Sequence, residues 1–183
     1  FNITNTSACT VEITAIHIAG MLGLVRVFAC EGPWNSGTDR ATVRPGMYQR
    51  SDYGVRPEDW ELLTEELCQP SWDVPRPVVL AVPIVLTPYE TRGAYVHSAL
   101  PDDLGIQYTG HQRRRQMRLD TPVAQDEHIL VTPGLGHTSS NPFDTDRGWY
   151  RAYRAPCGAF TYTATLAPWT LREHGPFFNR GPG

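Results

Sequence analysis

The feature that most constrains this chain is a string of short apolar runs in a fixed order, each closed by Gly, Pro, Asn or Asp. The runs are 11–18 (VEITAIHI), 24–30 (LVRVFAC), 60–65 (WELLTE), 78–86 (VVLAVPIVL), 92–97 (RGAYVH), 105–108 (GIQY), 129–131 (ILV) and 159–165 (AFTYTAT). Val11-Glu12-Ile13-Thr14 alternates apolar and polar, the period-2 mark of a half-buried strand. In 24–30, Val25, Val27 and Ala29 fall on one face, and Leu24, Arg26 and Phe28 on the other. In 159–165, Phe160 and Tyr162 oppose Thr161 and Thr163. The run 78–86 is apolar throughout, so both its faces are expected to be buried. Pro83 within it predicts an edge position or a bulge. The stretch 56–63 admits a short helix with Pro57 near its start. A turn into a strand is preferred, because the run is short and Leu67-Cys68-Gln69-Pro70 stops it. Long polar connections at 31–53 and 134–148 are loops of the kind that carry function or variation. Eight or nine strands with irregular loops predict an all-β fold. It is a single antiparallel, jelly-roll-like β-sandwich over residues 1–170, with 171–183 as a C-terminal extension or linker.

Composition supports this class. Charged residues make up 19% of the 183, while Gly and Pro number 16 each, a balance that suits a loop-rich β protein. The formal net charge of -3 carries no nucleic-acid signature. No apolar run approaches the roughly 18–20 residues that a membrane-spanning helix needs, so no membrane insertion is expected. All 16 basic residues are arginine. Codon bias explains that; a surface free of amines is the functional alternative, and arginine favours bidentate and stacked contacts. The chain starts at Phe1 rather than Met and reads as a piece excised from something longer.

Four cysteines, Cys9, Cys30, Cys68 and Cys157, show no C-x-x-C spacing, which argues against a zinc ribbon. Their even count allows two disulfides in three connectivities; four buried free thiols are the alternative. Two N-glycosylation sequons stand at Asn2-Ile3-Thr4 and Asn5-Thr6-Ser7. Cysteines and sequons together predict an extracellular or cell-surface location, with a cytoplasmic one as the alternative.

No catalytic motif stands out, so no enzyme and no cofactor are expected. None of the six histidines forms H-E-x-x-H. Asp126-Glu127-His128 is the densest acid and imidazole cluster, and reads as a solvated turn before a metal site. Gly134-Leu135-Gly136 lacks the following helix that would cradle a phosphate. Ser139 has no G-x-S-x-G context. Asp144 and Asp146 form a D-x-D pair that alone does not make a calcium site. The aromatics Trp34, Tyr53, Trp72, Trp149 and Tyr150 lie in or beside loops. They are candidate contacts for a partner or a sugar ring, or plugs for the ends of the sandwich. Arg113, Arg114 and Arg115 open a run that suits a processing site, an acidic partner surface or a solvated loop.

The order of the pieces resembles a β-sandwich module of bacterial secreted and surface proteins. The matching pieces are Phe1-Asn2-Ile3-Thr4, Val25-Arg26-Val27-Phe28, Trp60-Glu61-Leu62-Leu63 and Gly93-Ala94-Tyr95-Val96. They continue with Ile106-Gln107-Tyr108-Thr109-Gly110, the 130–136 segment, Pro142-Phe143 and Gly158-Ala159-Phe160-Thr161-Tyr162. A more distant, architectural likeness is to the PHR sandwich of large ubiquitin ligases and BTB adaptors. The resemblance implies a non-enzymatic, structural or adhesive module within a larger surface or filament glycoprotein, in contact with other protein domains or neighbouring copies. A carbohydrate-binding module and an intracellular PHR-like adaptor are the alternatives.

Overall fold

The computed structural model of the chain describes residues 1–34, 57–101, 104–108, 121–136, 138–144, 151–154 and 156–166. They form an antiparallel β-sandwich. The strands are β1 (Asn2–Asn5), β2 (Cys9–Gly20), β3 (Gly23–Cys30), β4 (Trp60–Cys68), β5 (Ser71–Leu86) and β6 (Thr91–Ser98). They continue as β7 (Ala124–Gln125), β8 (Ile129–Thr132), β9 (Gly134–Gly136), β10 (Arg151–Arg154) and β11 (Gly158–Leu166). A six-stranded sheet runs β4-β3-β6-β1-β8-β7, and a three-stranded sheet runs β11-β2-β5. A ribbon of β9 and β10 pairs Gly136 with Arg151. The chain changes sheet at β1–β2, β2–β3, β4–β5 and β5–β6, so successive strands clamp the two layers together.

Alternation decides what lies between the sheets. Val11, Ile13, Ile16 and Ile18 of β2 point inward and meet Val25, Val27, Leu63, Ala94, Val96 and Ile3 of the larger sheet. Each fully buried aliphatic side chain stabilises the fold by about 1.5–3 kcal/mol before entropy is counted. The β2–β3 corner needs glycine: Gly20 has φ +134°, and a Cβ there would strike Gly105 O. Leu22, fully buried at this corner, donates its N–H to Gly105 O at 2.8 Å.

Several expectations change in the fold. The run 78–86 belongs to β5, but Val79, Val82 and Val85 are 63%, 45% and 41% exposed, so only one of its faces is buried. Length explains the misreading: β5 is the outermost strand of a sheet whose other side has no covering layer among the described residues. Pro83 sits as predicted, on an edge strand and within a bulge. Between Ile13↔Ile84 and Ala15↔Val79, β2 advances two residues while β5 advances five. A second jump of the same size separates Ile18↔Arg76 from Gly20↔Ser71. The run 105–108 makes no strand; it contributes an isolated bridge from Tyr108 to Pro156. The expected loop 134–148 begins as strand β9. Pro57–Asp59 is a single 3₁₀ turn leading into β4, as the preferred reading had it.

Candidate functional site

The outer face of the six-stranded sheet carries an aromatic floor. Phe28 and Tyr95 are register partners on β3 and β6, so parity sends both rings to the same side. Their centroids lie 5.6 Å apart at 20°, a stacked pair. Trp60, opposite Cys30 on β4, joins Tyr95 edge-on at 6.0 Å. Phe143 covers this floor, 5.0 Å from Phe28, 5.1 Å from Tyr95 and 6.0 Å from Trp60.

Phe143 reaches the floor from a tight turn. Asp144 N donates to Asn141 O at 3.4 Å, Pro142 takes the second position, and Phe143 has φ 60°. A left-handed backbone costs a non-glycine residue about 1–2 kcal/mol, and ring burial with aromatic pairing outweighs that by returning roughly 2–4 kcal/mol. Polar ties hold the turn down. His97 Nε2 donates to Ser139 O at 3.0 Å, and Ser139 Oγ donates to Asp144 Oδ2 at 2.9 Å.

Trp34 roofs the adjoining part of the same face. Its N–H donates to Asn2 Oδ1 at 3.0 Å. A Cβ on Gly93 would strike Cys30 Sγ and the Cβ of Trp34, so this close approach requires glycine. Trp34 Nε1 is buried with no acceptor among the described residues.

A second turn repeats the pattern with the opposite outcome. In Thr87-Pro88-Tyr89-Glu90, Glu90 N donates to Thr87 O at 3.1 Å and Tyr89 has φ 63°. The Glu90 carboxylate accepts from Thr87 N and Oγ1 at 2.8 and 2.7 Å. Asn5 Nδ2 donates to Thr87 O at 2.9 Å and ties the turn to the core. Yet Tyr89 is 69% exposed: the backbone is fixed and the ring has no seat.

The outer face of the three-stranded sheet has no roof among the described residues. Pro77, Val79 and Val85 of β5, Glu12, Thr14 and His17 of β2, and Ala159, Thr161, Thr163 and Thr165 of β11 form it by parity. Glu12 and His17 are the ionisable groups in that set, and His17 Nε2 shares a hydrogen bond with Thr161 Oγ1 at 2.8 Å.

The sequence-predicted residues scatter. Asn5 is fully buried, and its Nδ2 donates to Cys9 O, Leu86 O and Thr87 O at 2.7, 3.2 and 2.9 Å. Its Oδ1 accepts from Ser7 N and Oγ. The Asn5 nitrogen that would carry a glycan makes its hydrogen bonds inside the fold, and Asn2 is likewise buried. Asn5 closes an Asn turn with Ser7, whereas Asn2 Oδ1 accepts from the backbone N–H of Trp34.

No disulfide joins the four cysteines in the fold described. Register separates two of the pairings. Cys30 lies opposite Trp60 and Cys68 opposite Gly23, at the two ends of the β3–β4 pair. Cys9 lies opposite Leu166, whereas Gly158, next to Cys157, lies opposite Ile18. At about 3.3 Å per residue, both separations far exceed the roughly 7 Å between Cα atoms that a disulfide spans. Burial pushes the thiols of Cys30, Cys68 and Cys157 up, away from the reactive thiolate.

Trp72 is 54% exposed in the second β5 bulge, far in sequence register from the floor. Tyr53, Trp149, Tyr150, Arg113, Arg114, Arg115, Asp146 and the 171–183 extension lie outside the described residues. Asp126 closes the β7–β8 turn: its Oδ1 accepts from His128 N and Ile129 N at 2.9 and 2.8 Å, and its Oδ2 from Tyr162 OH at 2.9 Å. Burial pushes the Asp126 carboxyl up, but these hydrogen bonds and nearby His128 outweigh it and hold it below its usual value. Burial, with the Asp126 bond and charge, pushes the Tyr162 phenol up to about 12. Among the described residues no group of three or more His, Cys, Asp or Glu is placed to hold a metal ion. None of their helices is long and apolar enough to cross a membrane.

The floor residues Phe28, Trp60 and Tyr95 and the turn residues Tyr89 and Phe143 were not among the candidates read from the sequence. Parity carried a signal for Phe28, which shares the outward face with Leu24 and Arg26. Comparison with protein-family models, with curated proteins and with solved structures finds no match for this chain.

Proposed function

We propose that this chain is a non-enzymatic contact module, a structural or adhesive building block of a larger surface or filament protein that packs against neighbouring copies. The observation that carries the reading is the unroofed face of the three-stranded sheet, where Val79 and Val85 stand 63% and 41% exposed in an almost uncharged Val/Thr surface. Such a face suits a second copy, because Glu12 and His17 are its only ionisable groups among the described residues. The contact is by face rather than by edge addition. Pro75, Pro77 and Pro83 remove donors from β5, and its two bulges kink it, the usual protections against strand pairing. Trp72, Val74 and Val82 extend the apolar surface from those bulges.

Sedimentation of the chain over a range of concentrations tests this. Wild type associates, and Val79→Asp with Val85→Asp stays monomeric at an unchanged melting temperature. A wild type that remains monomeric at millimolar concentration, with a positive glycan array, moves the assignment to the carbohydrate-binding alternative. The extracellular setting rests on the cysteines, the sequons and the module resemblance; an intact mass from the native source, before and after glycosidase and reduction, tests it.

A further inference from the structure

In a regular strand the spacing of Glu12 and His17 would send their side chains to opposite faces. Here they share one. Between Ile13↔Tyr162 and Ala15↔Thr161, β2 advances two residues while β11 advances one, a bulge at Thr14. Consecutive Ala15 and Ile16 are both buried, and Glu12 and His17 both open on the outer face of the three-stranded sheet. They are its only ionisable groups among the described residues. At about 3.3 Å per residue they stand roughly 16 Å apart, too far to pair within one copy. Their strand neighbours carry no charge. Glu12 lies between Thr163 of β11 and Val85 of β5, and His17 between Ala159 and Pro77. Arg76 stands opposite the inward-facing Ile18 and pairs with Glu66 of β4 at 3.3 Å, and Asp73 falls within the second β5 bulge. Thr161 Oγ1 holds His17 Nε2 at 2.8 Å, and Nδ1 has no partner among the described residues.

The face is also divided from side to side. Pro77, Val79 and Val85 line its β5 side, and Ala159, Thr161, Thr163 and Thr165 its β11 side. Two copies packed face to face about a two-fold axis have two simple arrangements. An axis along β2 sets Glu12 over Glu12, His17 over His17 and valines over threonines. An axis across β2 sets each Glu12 over the partner's His17, valines over valines and threonines over threonines. Charge and apolarity select the same arrangement, the second. We propose that two copies of this chain form an isologous dimer about the axis across β2, joined by two Glu12–His17 pairs and strengthened when His17 is protonated. This rests on the reading of the chain as a contact module, and names the symmetry and the regulation of that contact. Sheets packed face to face lie about 10 Å apart, a gap that a glutamate and an imidazole from facing strands span together. The His17 imidazolium donates Nε2–H to Thr161 Oγ1 and Nδ1–H to the partner's Glu12.

Sedimentation equilibrium of the full chain, as the solution is taken from about pH 8 to about pH 5.5, tests the proposal. The wild-type dissociation constant falls about tenfold over that range. His17→Gln flattens the profile, although the other histidines remain. Glu12→Arg and His17→Glu each set like charges across the axis and weaken association at the acid end by about tenfold or more. The double variant, Glu12→Arg with His17→Glu, exchanges the charges; it restores association and makes it independent of pH over this range. That rescue is specific to the axis across β2, because an axis along β2 stacks like charges in the double variant as it does in wild type. All these side chains lie on the outer face, so melting temperatures of the dilute proteins stay unchanged and report folding separately. A flat wild-type profile, or a folded double variant no stronger than the single ones, overturns the proposal. If Val79→Asp with Val85→Asp still abolishes association in that case, the contact-module reading stands and this inference falls. A wild type monomeric at every concentration and pH removes both.

Discussion

The two outer faces of the sandwich are built from the same alternation and end differently. On the larger sheet, Phe28 and Tyr95 point outward and are covered by Phe143, while Trp34 covers Gly93 beside them. On the smaller sheet, Val79, Val85 and a row of threonines point outward and have no cover among the described residues. Outward parity is therefore no measure of exposure. A flat face of small β-branched side chains offers nothing for a loop to grip, whereas stacked rings with a glycine gap form a relief into which a turn inserts. The larger sheet thus gains a second, minor core outside the sandwich, and the smaller sheet has no such cover among the described residues.

The largest contrast is energetic. Phe28→Ala, on the roofed face, is expected to lower unfolding free energy by about 3–5 kcal/mol, because it empties the floor beneath Phe143. Val79→Ala, on the bare face, stays within about 0.5 kcal/mol. Urea denaturation of the two variants measures both; equal losses would show that the faces are not different in kind.

An intermediate effect is expected at Asn5, which joins the β1–β2 turn to the end of β5. Asn5→Ala leaves the buried acceptor Leu86 O and its neighbours without their donor, at about 1–3 kcal/mol for a buried group left unsatisfied. The same variant answers the sequon question: it destabilises unglycosylated protein from a host that lacks the glycosylation machinery, which loss of a glycan cannot do. An Asn5→Ala protein with wild-type melting in such a host removes the hub role.

The smallest effect concerns the closed edge, where Tyr162 of β11 meets the Asp126 turn across the sheets. The phenol is raised to about 12, so its contribution is full below the unfolded value near 10 and is lost as pH rises through that folded value. The Asp126 carboxyl is depressed, so its contribution is present above the ordinary carboxylate value and is lost as pH falls through its lower folded value. Ultraviolet titration of the tyrosines should show a late-ionising phenol that moves part of the way back in Asp126→Asn. Its burial, the larger cause, remains. A titration curve unchanged by Asp126→Asn would detach Tyr162 from that turn.

Strand existence was legible wherever period-2 alternation or a β-branched run persisted: β2, β3, β4, β5, β6, β8 and β11 fall on seven of the eight apolar runs. The failures have local causes. Residues 105–108 read as a strand, yet their backbone groups are taken by the β2–β3 corner, where Gln107 N donates to Ala19 O. The short β7, β9 and β10 exist through pairing and not through propensity. At the candidate sites, sequence reasoning followed loop aromatics and motif strings, and of those aromatics only Trp34 and Trp72 lie among the described residues. The sequon asparagine Asn5 is an internal hub, and the cysteines stand at opposite ends of paired strands.

The sequence by itself determined the class of fold, the inward faces of β2 and β3, and the special character of Pro83, because these depend on alternation and backbone chemistry within one strand. Only the tertiary structure decided which outward face is roofed, which asparagine is buried, and which of two like turns seats its ring. Those outcomes depend on register and sheet order. A pairing such as Phe28 with Tyr95 joins residues far apart in the chain, and no local pattern encodes it.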